Sequence, residues 1–240
     1  MKKIFETFRQ KWTEYILEIL VIMIGILGAF MLNDWNESNR LDNQRQELIA
    51  SLIEDFEYNS TTLEEERIVM SKGRLTKMDL FYDLLNRDEK TVSMDSLRNL
   101  AVTFFRFDYF RPNLTAYNVA KSSGSLELLD NKKLLEKITL FNREHEILLM
   151  VQNQNGHSYY AGSGWEFRKT ILPGVIYNSR YSGTYESNHT FDEYKLLMTS
   201  PLALNALHNF YVLEGNNQEQ LSQMLVHSNE ILEILRKMED

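Results

Sequence analysis

The chain has 240 residues, a formal net charge of -8 and no cysteine. Without cysteine there are no thiolate metal sites, thiol nucleophiles or disulfides, and the acidic balance argues against nucleic-acid binding, which needs a basic surface. Hydrophobic residues at 43% and charged residues at 25% are ordinary for a folded domain rather than a disordered one, and three prolines and ten glycines in so long a chain favour long helices.

Residues 1–14 set Lys2, Lys3, Arg9 and Lys11 against Glu6 and Glu14 and so are weakly basic. From Tyr15 to Leu32 the chain is apolar with a single charge, Glu18. A run of about 18 such residues spans most of a bilayer core. It is too long for the apolar region of a cleaved secretory signal, and Leu27 two residues before Ala29 makes a poor cleavage site. Basic residues collect on the cytoplasmic side of a span. The expected layout is a cytoplasmic tail (1–14), a transmembrane helix (15–34), a helical stalk with the first bundle helices (35–92), and a helical bundle on the far side of the membrane (93–240). The expected fold is all-α with a single membrane anchor.

The span carries a pattern of its own. Glu18, Gly25, Ala29 and Leu32 recur at helical spacing on one face. Gly25 and Ala29 form a small-xxx-small pair, which lets two membrane helices approach closely. Asn33 and Asn36 continue near this face, and Trp35 sits where an interfacial aromatic anchor belongs. The face reads as an oligomer interface in which Glu18 bonds to a neighbour. The alternative is that Glu18 reaches the cytoplasmic headgroups, since a buried carboxylate is costly unless protonated, paired or snorkelling.

Beyond Trp35 no proline or glycine occurs before Gly73. Leu41, Leu48, Ile49, Leu52, Ile53, Phe56 and Leu63 mark an amphipathic helix leaving the membrane as a stalk. Gly73 is a candidate interruption, after which Leu75, Met78, Phe81, Leu84 and Leu85 resume the apolar face, and 87–92 reads as a loop. Ser93 is placed to cap a short helix. Phe104, Phe105, Phe107, Tyr109 and Phe110 then form an aromatic patch. It reads as a core anchor where two helices meet, with Asp108 and Arg111 satisfying a turn before Pro112; the alternative is a ligand or partner pocket. A short helix starts at Thr115 and stops at Gly124, a residue suited to the left-handed position. Asp130 or Asn131 caps the longest periodic segment, with Leu134, Ile138, Phe141, His145, Leu148, Gln152, Gly156, Tyr159, Ser163 and Phe167 on its stripe. The Gly162-Ser163-Gly164 cluster could break it. Residues 175–189 lack helical period. There Tyr177, Arg180, Tyr181 and Tyr185 are the candidate contacts for a partner. Thr190 and Glu193 form a capping box, Pro201 opens a further helix that Gly215 could kink, and Leu221 to Met238 reads as a terminal helix packing on the bundle or on another subunit.

Two segments carry a resemblance. Leu17-Glu18-Ile19-Leu20-Val21-Ile22-Met23-Ile24-Gly25-Ile26-Leu27, followed by Asn33-Asp34-Trp35-Asn36-Glu37, is the first. Leu114-Thr115-Ala116-Tyr117, Lys121 to Leu126 and Leu128 to Asn131 make the second. Together they resemble an uncharacterised family of single-pass membrane proteins of Bacteroidota, the domain-of-unknown-function family 6090. One departure is Leu17, where that family often has glycine. The resemblance implies an envelope protein of two-membrane cells with a helical periplasmic domain. It brings no established activity, so no catalytic residue carries over.

No catalytic, cofactor or metal motif is evident. The five histidines lack the i, i+4 pairing of a zinc helix, and His145 reads as a satisfied core or interface histidine. No nucleophile elbow surrounds Ser158 or Ser163. The expectation is a non-enzymatic, cofactor-free envelope protein that meets the lipid bilayer, forms a homo-oligomer and binds an envelope protein partner. Alternatives are a subunit of a transport or channel assembly that uses Glu18, and a receptor-like sensor signalling through a separate membrane partner.

Overall fold

The computed structural model describes residues 2–87, 91–170 and 189–239, and these are helical with no strand among them. Helix α1 (Lys2–Thr61) passes through one wide turn, Thr62–Arg67, into α2 (Ile68–Leu85). Then come α3 (Met94–Ala101), continued by a tight turn at Val102–Phe105, and an extended segment over 106–114. Helix α4 (Thr115–Ser123) and the tight turn Ser125–Leu129 lead to α5 (Lys132–Tyr160). The remainder is α6 (Gly162–Thr170), α7 (Phe191–Met198) and α8 (Pro201–Glu239).

Local sequence accounts for most of the ends. Gly124 takes a left-handed conformation (φ 78°) after α4, as its missing Cβ permits. Asn131, rather than Asp130, caps α5 by accepting from the Leu134 amide at 3.0 Å. Thr190 and Glu193 close the reciprocal capping box at α7. Ser93 has the extended backbone of an N-cap, but its side chain makes no capping bond. Helix α8 runs unbroken through Gly215.

The long rod α1–α2 packs against α5 and α8. Ser228 donates to the Phe56 carbonyl at 3.1 Å and Ser71 to Glu214, so α8 runs antiparallel to the rod. Lys137–Glu230 at 2.8 Å and Asn209–Ser158 at 3.0 Å set α8 antiparallel to α5 in the same way. Two apolar cores result. One joins Ile49, Leu52, Phe56 and Leu63 to Leu134, Ile138 and Phe141 of α5 and to Leu221, Met224, Ile231 and Leu235 of α8. The Phe56 and Phe141 rings meet edge-on at 5.2 Å in this core. The other joins Met78, Phe81 and Leu85 of α2 to α3, Phe167, α7 and the start of α8. Each fully buried Leu or Phe contributes about 1.5–3 kcal/mol. The terminal helix therefore spends its apolar stripe on its own chain.

The rod is not interrupted at Gly73. That glycine lies inside α2, where an added Cβ would meet nothing within 4 Å. The irregularity is the wide turn upstream, and burial explains it. Buried positions run Ile49, Leu52, Phe56, Asn59, Leu63, then Ile68, Ser71, Arg74, Met78, Phe81 and Leu85. The step from Leu63 to Ile68 is one residue longer than an α-helical turn. A regular helix would aim Glu66 and Met70 at the core, whereas the extra residue in the turn leaves Glu64, Glu65 and Glu66 exposed.

The cluster after α5 does break the helix. Gly162 has φ 65°, and a Cβ on Gly164 would fall 2.1 Å from the Ser158 carbonyl oxygen and 2.9 Å from Phe210 Cζ. The corner lets α6 press on α8 and lets Phe167 stack on Phe105 at 5.7 Å. On α5 the buried face is turned slightly from the expected stripe. Glu144 and Asn155 are buried in place of His145 and Gly156, because three- and four-residue steps both satisfy the helical period.

Deleting Glu65 should convert the wide turn to a regular one, keep both stripes in phase, and change unfolding free energy by less than about 1 kcal/mol. Deleting Thr76 should rotate Met78, Phe81 and Leu85 by about 100° and abolish cooperative unfolding. Urea denaturation followed by circular dichroism distinguishes the two.

Candidate functional sites: an exposed apolar helix and a buried polar layer

From Ile16 to Leu32 helix α1 packs against no other described part of the chain, and its apolar side chains are exposed. The segment is long and apolar enough to cross a membrane. Because the backbone is helical throughout, Glu18, Gly25, Ala29, Asn33 and Asn36 fall within an arc of roughly 80° at 100° per residue. A Cβ at Gly25 or Gly28 would meet nothing within 4 Å. Glu18, Ala29, Asn33 and Asn36 are exposed, and Trp35 stands clear of the bundle. Below Trp35, Arg40 makes a two-bond pair with Glu37 at 3.0 and 2.5 Å, holding that carboxyl below its ordinary range through the hydrogen bond. The segment with Tyr177, Arg180, Tyr181 and Tyr185 lies outside the described residues.

A polar layer separates the two apolar cores. Arg74 of α2 is buried, and its guanidinium donates to Glu214 of α8 at 2.9 Å and to Asp108 at 2.6 Å. Ser71 donates to the same Glu214 oxygen, and Asn217 approaches it at 3.5 Å. Gln152 of α5 donates to Asn217 at 3.4 Å, while Tyr109 reaches the Gln152 carbonyl at 3.4 Å. Burial alone would pull the Arg74 guanidinium down. The hydrogen bonds and charges of Glu214 and Asp108 outweigh it and hold the group above its ordinary value. The planar fork of arginine suits two carboxylates at once, which a lysine would not. Asp108 was expected to satisfy a turn before Pro112; it is instead the outer partner of this pair. The aromatic patch around it is divided, with Phe104 in the core beyond the layer and Phe110 in the core before it.

A second set of polar contacts fixes the extended segment. The Asn59 amide makes a two-way pair with the Asn113 backbone, with both bonds at 2.7 Å. Asp55 accepts from the Ala116 amide at 2.7 Å and so caps α4 from another helix, where Leu114 offers no side-chain cap. Burial pushes the Asp55 carboxyl up, against the lowering effect of the Ala116 N–H. The Leu114-Thr115-Ala116-Tyr117 motif is thus the docking point of α4 on the rod. The position of Asp55 and Asn59 on an otherwise apolar stripe was the available signal.

His145 is half-buried, and its Nε2 is buried with no hydrogen-bond partner, so it is not the satisfied histidine expected. Burial lowers its pKa from 6.5, against the opposing charge of Glu146. Among the described residues no group of three or more His, Asp or Glu side chains is placed to hold a metal ion.

These features define an all-α protein in which one apolar helix of membrane-spanning length continues directly into a helical bundle. The chain belongs to the family of unknown function DUF6090, whose model matches residues 18–160. The match begins at Glu18 and ends with the last residue of α5. No curated protein and no solved structure matches the chain.

Arg74→Met should cost about 3–5 kcal/mol, because it leaves Glu214 buried without its counter-charge. The double variant Arg74→Met/Glu214→Leu should recover most of that loss in urea denaturation. A group whose folded-state pKa is depressed stabilises the fold above its unfolded pKa and loses that contribution as pH falls through the folded value. Stability should therefore decline below pH 6.5, and His145→Phe should flatten that part of the pH–Tm profile.

Proposed function

We propose that this protein is a non-enzymatic, membrane-anchored envelope protein that oligomerises through its span and binds an envelope partner through its helical domain. Its N-terminus lies in the cytoplasm and its bundle in the periplasm of a two-membrane bacterium. One observation carries this reading: among the described residues the helix from Ile16 to Leu32 finds no packing partner, yet it continues unbroken into the bundle. Lipid covers most of such a surface, and the Gly25/Ala29 face allows close approach of a second copy. The basic residues before Tyr15 favour a cytoplasmic tail.

A sensor-like role is the second reading, favoured by the continuity of α1. With no break between the apolar segment and Thr61, a tilt or rotation of the bundle passes to the membrane helix. In this reading the signal goes to a separate membrane protein.

The mass of the detergent-solubilised protein tests oligomerisation. Multi-angle light scattering should give a dimer or larger for the wild type and a shift toward monomer for Gly25→Leu. Monomers for both would remove the oligomeric reading.

A further inference from the structure

We propose that the cleft beside Arg74 is a binding site for a small molecule with an anionic head and an aromatic body. The cleft lies at the corner where α2, the segment around Arg106–Asp108 and the end of α5 meet, and its volume is about 650 Å³. Pockets of roughly 300–1,000 Å³ are typical of small-ligand sites.

Charge sets the ligand class. Arg74, Lys77 and Arg106 line the cleft against one carboxylate, Asp108, on a chain whose net charge is -8. Asp108 is already engaged by Arg74 at 2.6 Å. Lys77 and Arg106 are exposed and form no ion pair with a described residue. Among the described residues they are the cleft cations without a carboxylate partner, and Arg74 behind them is held rigidly by Glu214 at 2.9 Å. The Arg74 charge is matched by Glu214 and Asp108, so the two exposed cations in front of it attract the anion, beside a wall that the ion pairs hold in place.

The walls set the body of the ligand. Phe107 meets Tyr159 edge-on at 5.8 Å, and Tyr160 beside it is 69% exposed. Exposed ring faces at the mouth of a cationic cleft suit a flat, ring-bearing ligand. Gly73 leaves the α2 wall bare, since a Cβ there would meet nothing within 4 Å. The site is independent of how the chain meets the membrane, so it stands whether or not the oligomeric reading does.

The test uses the full chain in phosphatidylcholine nanodiscs and 4-fluorophenyl phosphate as probe, read by ¹⁹F NMR. Saturable binding is expected. It should weaken roughly tenfold or more in Lys77→Gln/Arg106→Gln, two exposed positions whose change leaves the fold intact by circular dichroism. Gly73→Leu, which suits a helix and fills the cleft, should abolish it. Arg236→Gln, at the far end of α8, should leave it unchanged. Neutral 4-fluorobenzyl alcohol and inorganic phosphate should each bind at least about tenfold more weakly than the probe. No saturation by roughly 10 mM probe, unchanged binding in both cleft variants, or equal binding of the alcohol would overturn the proposal.

Discussion

Arg74 meets Glu214 only because the helix that carries it has been re-phased upstream. The rod must present one continuous buried stripe to α5 and α8 from Ile49 to Leu85. Three successive glutamates, Glu64 to Glu66, lie in its path. The wide turn at Thr62–Arg67 leaves these carboxylates in solvent and brings Ile68, Ser71 and Arg74 onto the buried side. Both apolar cores and the polar layer between them depend on that single residue of phase.

The polar layer is not the source of stability. A buried ion pair recovers little net free energy once its desolvation is counted, and the two apolar cores supply the driving force. The layer constrains alignment. A slip of α8 along α2 would leave Glu214 without Arg74 and Ser71, and a slip along α5 would separate Asn217 from Gln152. Apolar stripes tolerate such slips far better than paired charges do. Setting register by buried polar groups has its best-attested parallel in coiled coils. The same logic applies nearer the apolar segment, where Asn59 and Asp55 fix the extended chain and the start of α4.

Much of this was legible in the residues, and the part that was not has a physical reason. Caps announce themselves locally, so Gly124, Asn131, Thr190 with Glu193, and Pro201 all fall where the sequence places a helix end. The terminal stripe from Leu221 to Leu235 is equally plain. Gly73 misled because a helix tolerates an exposed glycine at modest cost, whereas the wide turn leaves no compositional mark. Its trace is a phase slip between Leu63 and Ile68, visible only when the stripe is followed across the whole rod. Arg74–Glu214 joins residues 140 apart, beyond the reach of any local pattern. The face with Glu18, Gly25 and Ala29 could be read from spacing alone, since no described residue packs against it.

Continuity of the helix links the apolar segment to the bundle. The apolar segment, the wide turn and the polar layer all lie on one helical path, so the bundle is coupled to the segment by a rod rather than a tether. The chain contains no cysteine, so spin labels can be placed on cysteines introduced at the exposed positions Ser38 and Lys72. Pulsed electron–electron resonance in nanodiscs should give one narrow distance distribution centred at roughly 50 Å, the rise of an unbroken helix. A broad distribution, or a mean far shorter than that, would contradict the rod.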